Sequence, residues 1–421
     1  MSSGRIFLSI TVLLVFCIAG PAAAASIGTV WKEPLTVEGG SFSKLMFSYD
    51  SSKVFAGGNQ MYIRNWDTGK SWGGRTGNIA TMSADGNYVV YGSGNTLELL
   101  DKDGGGIWSR NMAGMVRAVA ITDNGSLVVS ADDQGNINSW LKNGEFLARN
   151  QTALVKQLAI SPSGTLVVAT TETGLLFMTP ALNPVWSDTK TGSLDSEIAI
   201  SKDGTTIITY GGRRVSSHTN TGTLNWMNDV GEESITGMAC SYDCSVIVIG
   251  SQDKTIRAMD RYGKVHWTYP AEEWINSVGI SQDGKVIVAA GIDKNLYVLD
   301  HSGKLLSKKM MNTIIHPRSL AVSADGKRIA VADEYALYGL ILSTEPDFIE
   351  RITVIPTSTR YIDTPTIVPT TETTAVATPV TSVTQVTPFP AATTPKSPIN
   401  PFTAIVAIGA GLSMVQGLRK R

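Results

Sequence analysis

Residue types that do chemistry are present in this 421-residue chain, but not at the spacings that chemistry needs. The four histidines, His218, His266, His301 and His316, are scattered, and none falls in an HExxH, CxxCH or other ligand spacing. No GxSxG nucleophile motif and no EF-hand loop occurs. Aspartates recur at one place in a repeated pattern: Asp50, Asp85, Asp203, Asp243, Asp283 and Asp325. That repetition points to turn chemistry, because an Asp side chain accepts hydrogen bonds from turn amides. No catalytic residue, metal or cofactor is therefore expected.

Cysteine supports one local inference. Cys240 and Cys244 bracket a turn as "CSYDC", and Cys17 lies in the N-terminal segment. In an exported chain so close a pair is expected to form a disulfide across its own turn. The alternative is two buried thiols. Little chain entropy would be removed by so small a loop. Two sequons, Asn124-Gly-Ser and Asn150-Gln-Thr, are glycosylation candidates, the first within a tight turn.

The elements that would position these residues come from a repeat. "ISQDGKVIVAAG" at Ile280 returns at Met82, Ile121, Ile160, Ile200, Cys240 and Val322, with a weaker first copy at Phe47. Successive turn residues Ser51, Gly86, Gly125, Gly164, Gly204, Cys244, Gly284 and Gly326 are spaced 35, 39, 39, 40, 40, 40 and 42 residues apart. A period near 40 with strand-like content only predicts one four-stranded sheet per copy, a propeller blade. Each copy reads as an alternating strand, a tight turn, a β-branched strand buried on both faces, a third strand, and a Gly turn into an outer strand. That outer strand carries Trp72, Trp108, Trp186, Trp226 or Trp267, replaced by Leu147 and Leu306 in two copies. A buried Trp removes ~150–250 Å² from water, so these residues are expected to glue blades together. Eight copies predict an all-β, eight-bladed propeller of antiparallel blades, with seven blades as the alternative. "SIGTVWKEPL" at Ser26 supplies an orphan outer strand and "YALYGLILS" at Tyr335 a third strand. Their pairing would close the ring with both ends of the chain and leave no open edge.

Both ends differ from the repeat. Residues 1–25 have a basic residue, an apolar run and a small-residue site, the order of a secretory signal peptide. Residues 351–400 hold fifteen Thr and eight Pro, a composition that cannot fold and reads as a disordered stalk. Residues 401–418 are mostly apolar and precede Arg419, Lys420 and Arg421. As a transmembrane helix they rise about 27 Å, and the basic tail places the rest of the chain outside. A net charge of -1 offers no field for nucleic acid.

"NWDTGKSW" from Asn65 and "AMDRYGKVHW" from Ala258 resemble the pyrroloquinoline-quinone repeat, in which Asp, Gly and Trp fasten blades. "ISQDGKVIVAAGIDKNLYVLD" resembles the inner strands of a WD repeat, although Gly-His is missing and Trp66-Asp67 is the single Trp-Asp. With both ends included, the chain is similar to cell-surface propeller proteins of methanogenic archaea. The resemblance covers residues 28 to about 345 for the fold. Quinone dehydrogenases of this type hold their cofactor against adjacent cysteines beside a calcium site; the absence of adjacent cysteines here implies no quinone. The C-terminal segment also resembles archaeal sorting signals, whose tail is exchanged for a lipid.

Loops into the inner strands, and those between second and third strands, should ring one mouth of the channel. There Trp274, Glu272, Glu273, Arg213, Arg214 and His316 break the repeat and are the binding-face candidates. The function expected is non-enzymatic: an anchored surface propeller for an extracellular protein or glycan, acting as a monomer. The alternatives are a propeller enzyme and an envelope-assembly scaffold.

Overall fold

The computed structural model describes residues 25–35, 42–58, 60–188 and 197–343. They form eight four-stranded antiparallel sheets and no helix, so the ring has eight blades and the seven-bladed alternative falls. Blades 1 to 7 span 42–76, 79–111, 116–151, 155–188, 198–229, 235–270 and 275–310; blade 8 combines 320–343 with 26–34. Residues 1–24 of the segment read as a signal peptide, the Thr/Pro-rich stretch and the apolar C-terminal segment with its basic tail lie outside the described residues. Among the described residues no helix is long and apolar enough to cross a membrane.

The repeated Ser-x-Asp-Gly hairpin holds each inner strand to the second. In blade 7 the Ser281 hydroxyl donates to Asp283 (2.7 Å) and accepts from the Val286 amide (3.0 Å), while the Lys285 amide donates to Asp283 (3.1 Å). The aspartates thus do the turn work that their repetition implies. Burial alone would push the Asp283 carboxyl up, but the bonds from Lys285 and Ser281 outweigh it and hold it at about 2. The fourth turn position needs positive φ, 74° at Gly284; Ser51 (57°) and Cys244 (51°) adopt it without glycine. Second strands fill the space between blades, and Val128, Val168, Val248 and Val288 are fully buried.

Four outer-strand tryptophans lock their blade to its successor. The indole N–H donates to a turn carbonyl of the next blade: Trp72 to Lys102 (2.8 Å), Trp108 to Lys142 (3.0 Å), Trp226 to Arg261 (2.6 Å) and Trp267 to His301 (2.9 Å). The glycine of that turn lies flat on the ring; a Cβ on Gly303 would sit 2.6 Å from Trp267. This glycine serves both the positive φ of 84° and the close approach.

The closing strand of blade 8 comes from the N-terminal side. Ser26–Pro34 pairs antiparallel with Ala336–Ser343, from Ser26 opposite Ser343 to Pro34 opposite Ala336. At the seam with blade 1, Trp31 meets Trp66 edge-on at 5.4 Å, and Glu33 forms a buried ion pair with Arg64. Arg328 reaches Asp67 at 2.9 Å. Inner strands run from an upper face, bearing the links between blades and the second-to-third turns, to a lower face bearing the Ser-x-Asp-Gly turns. Ser26 and Ser343 are therefore both at the lower rim.

Candidate functional site on the propeller axis and its upper mouth

The six sequence candidates fall on upper-face segments but are distributed over blades 5 to 8 rather than gathered. Trp274, just before the inner strand of blade 7, is 43% exposed. Glu272 pairs with Lys308, accepts from the Asn295 amide (3.0 Å), and its own N–H donates to the Tyr297 hydroxyl (3.2 Å). The Lys308 hydrogen bond holds its carboxyl below the ordinary range. Glu273 meets Lys254 at 2.9 Å. Arg213 and Arg214 share Asp229 at 3.4 and 3.2 Å. His316 stands 3.6 Å from Glu334 and lines a mouth cavity of about 620 Å³ with Phe42, Tyr210 and Arg318.

Two polar crossbars that the sequence candidates did not include span the axis below that mouth. In the upper one, Arg318 of blade 8 donates from Nε to Glu197 of blade 5 (3.0 Å). With the Gln157 amide turned so that its oxygen faces the guanidinium, it accepts from Nη2 (2.9 Å) and Nη1 (2.8 Å). Arg318 itself sits at positive φ, 61°, and its carbonyl accepts from the Leu45 amide (3.1 Å). Lys44 of blade 1 completes this level. Burial pushes the Glu197 carboxyl up, opposed by Arg318. The protein massed around the channel pushes the ammonium of Lys44 down although the side chain itself is exposed to the channel; Glu197 opposes this, and Arg318 adds to it.

The lower crossbar joins blades 1, 3, 5 and 6. Lys202 forms an ion pair with Asp123, donates to the Tyr49 hydroxyl (2.9 Å), and lies 4.1 and 5.5 Å from the rings of Tyr49 and Tyr242. The Tyr49 hydroxyl donates to Asp123 at 2.7 Å. Burial pushes that phenol up to about 12. Burial also opposes the Lys202 charge, but hydrogen bonds to Asp123 and Tyr49 outweigh it and raise the ammonium above its ordinary value. Between the crossbars lies a cavity of about 410 Å³ to which all eight blades contribute.

A signal for these residues exists in the aligned copies. Four positions before the turn hydroxyl stand Lys44, Gln157 and Glu197, where Ala118, Gly237 and Ser277 stand elsewhere. One position after it stand Tyr49, Asp123, Lys202 and Tyr242, against Ala84 and Ala324.

Cys240 and Cys244 are bonded to each other, their Cα atoms 5.0 Å apart. Both sequon asparagines have structural partners. Asn124 accepts from the Ser126 amide (3.0 Å) in place of the usual turn Asp, and the Asn150 amide nitrogen donates across blades to the Leu182 carbonyl (2.8 Å). Among the described residues no cluster of three or more His, Cys, Asp or Glu could hold a metal ion.

Comparison with known proteins follows the architecture. A family model described as outer membrane protein assembly factor BamB matches residues 181–324. No curated protein matches. Among solved structures, the computationally designed Ika8 protein is similar at 17% identity and a TM-score of 0.60. The C-terminal WD40 domain of Sif2 is similar at 15% and 0.61. Chaetomium thermophilum Sqt1, bound to the N-terminus of the ribosomal protein L10, is similar at 14% and 0.59. Each covers 75% of this chain and 99% of its own. At such identities the likeness shows the propeller fold.

Proposed function

We propose that this chain is a non-catalytic interaction propeller. It would be held on the outer face of the cell membrane by its C-terminal segment and would present its upper face to an extracellular protein or glycan. The observation that carries this is the half-exposed Trp274 indole on the face opposite Ser26 and Ser343. Exposed aromatic side chains flanked by polar pairs are the composition of recognition surfaces. The paired charges around Trp274 would set orientation more than affinity. A second role, scaffolding of envelope assembly, is favoured by the match of residues 181–324 to an assembly-factor family.

The test is binding of the purified full chain to a glycan array and to an envelope extract, with Trp274→Ala in parallel. Loss of a saturable ligand in Trp274→Ala, with unchanged thermal stability, supports the proposal. Binding indifferent to Trp274 refutes the upper-face assignment. A chromophore copurifying with the chain would replace it with the enzyme reading.

A further inference from the structure

The two sequon asparagines differ in what their side chains already do. A glycan is attached through the side-chain nitrogen, so that atom must be spare in the folded chain. At Asn150 it is engaged: Nδ2 donates to the Leu182 carbonyl of the next blade (2.8 Å). Asn228 repeats this bond to the Gly263 carbonyl (2.9 Å), and Arg110 repeats it to that of Gly144 (2.7 Å). The Asn150 nitrogen thus belongs to the fastening of blade 3 to blade 4, beside a Leu182 that is buried.

Asn124 is the opposite case. It is exposed on the lower face and holds the place of the turn aspartate in its hairpin. Its side-chain oxygen alone serves the turn, accepting from the Ser126 amide (3.0 Å) and the Thr122 hydroxyl (3.3 Å). In other copies the second side-chain atom is an oxygen that accepts from the residue two places on. Asp85 accepts in this way from Asn87 (3.0 Å), and Asp203 from Thr205 (2.9 Å). At Asn124 that atom is Nδ2, which has no hydrogen-bond partner among the described residues, since the Ser126 hydroxyl turns to Thr122. A sugar on the nitrogen leaves the carbonyl oxygen able to accept, so both turn bonds survive the modification.

We infer that Asn124 is a site of N-glycosylation and that Asn150 is not. This rests on the reading of the chain as exported. The donor is a lipid-linked oligosaccharide. A bond forms between Nδ2 and the first sugar carbon, the bond from that carbon to the lipid phosphate breaks, and Nδ2 gives up one proton. The glycan then stands on the lower face, next to Asp123 of the lower crossbar and on the side of the ring opposite Trp274.

Glycopeptide mass spectrometry of the full chain, purified from cells that produce it naturally, tests the assignment. Labelling of the intact cells with a membrane-impermeant amine reagent reports export in parallel. A glycan is expected on the peptide holding Asn124 and none on the peptide holding Asn150. Asn124→Asp restores the aspartate of the other turns, so it should lose the glycan and keep wild-type circular dichroism. Thr152→Ala breaks the second sequon and should leave the glycan mass unchanged. A surface-labelled chain that is bare at Asn124, or that carries a glycan at Asn150, overturns the assignment. A chain shielded from the reagent and bare at both positions overturns the export reading and the assignment with it.

Discussion

Replacing His218 with Leu should stabilise the propeller, increasingly so as pH falls. The His218 side chain is fully buried in the third strand of blade 5, with its ring 5.4 Å from that of Trp186 and 6.2 Å from that of Phe177. Neither ring nitrogen has a hydrogen-bond partner among the described residues. The equivalent position holds Leu100, Trp140, Met178, Met259, Leu299 and Leu340 in six other blades, all buried. A neutral imidazole there leaves one donor and one acceptor unpaired, at about 1–3 kcal/mol. Leu fills most of the same volume, so a net gain of about 1–2 kcal/mol is expected near pH 7.5.

The pH dependence has a definite sign. Burial lowers the folded-state pKa of His218 below its ordinary 6.5, with Asp188 opposing. The unfolded chain therefore binds the proton more readily. Wild-type stability is intact above the unfolded pKa and declines as pH falls below it, by up to about 1.4 kcal/mol per pH unit until the folded pKa is reached. His218→Leu removes that slope, so its advantage grows between pH 6.5 and pH 5. Urea unfolding at pH 7.5, 6.0 and 5.0 measures both effects. In thermal unfolding each kcal/mol should move Tm by roughly 1.5 °C, at about 2.1 cal/mol/K per residue. A destabilised His218→Leu, or an advantage that does not change with pH, refutes the reasoning.

Arg64 occupies the same third-strand position in blade 1 and, unlike His218, has a charged partner in Glu33. Arg64→Met should cost about 3–5 kcal/mol because Glu33 is left buried and unpaired, and Arg64→Met with Glu33→Leu should recover most of it. Because Glu33 lies in the closing strand, hydrogen exchange of Ser26–Pro34 should accelerate in the single variant and not in the double. Gly303→Ala should lose about 2–4 kcal/mol in urea unfolding, from positive φ and from collision with the Trp267 ring. Adding Trp267→Leu should restore part of the loss, an energetic coupling that a double-mutant cycle detects.

The fold was legible because each blade is specified locally. Inner hairpins repeat Ser-x-Asp-Gly, outer strands repeat Trp after a Gly turn, and the two orphan strands at Trp31 and Tyr338 required each other. The Trp72, Trp108, Trp226 and Trp267 contacts form as the spacing implied, since successive blades meet at a constant offset. Among binding-face candidates, Trp274 was visible because it departs from the repeat. Lys44 and Glu197 departed from it as well, but they are 153 residues apart. Without the ring geometry nothing says that Arg318 reaches Glu197 across the channel.

The structure decided between eight blades and seven, while the sequence by itself determined the blade repeat, the turns that fold each blade and the residues that fasten neighbours. These depend on short-range periodicity and on contacts repeated at one fixed separation. Only the tertiary structure decided what crosses the axis. Closing the wheel brings two repeat registers of different blades together as two crossbars, because through-space charge pairing across a channel has no counterpart in linear spacing.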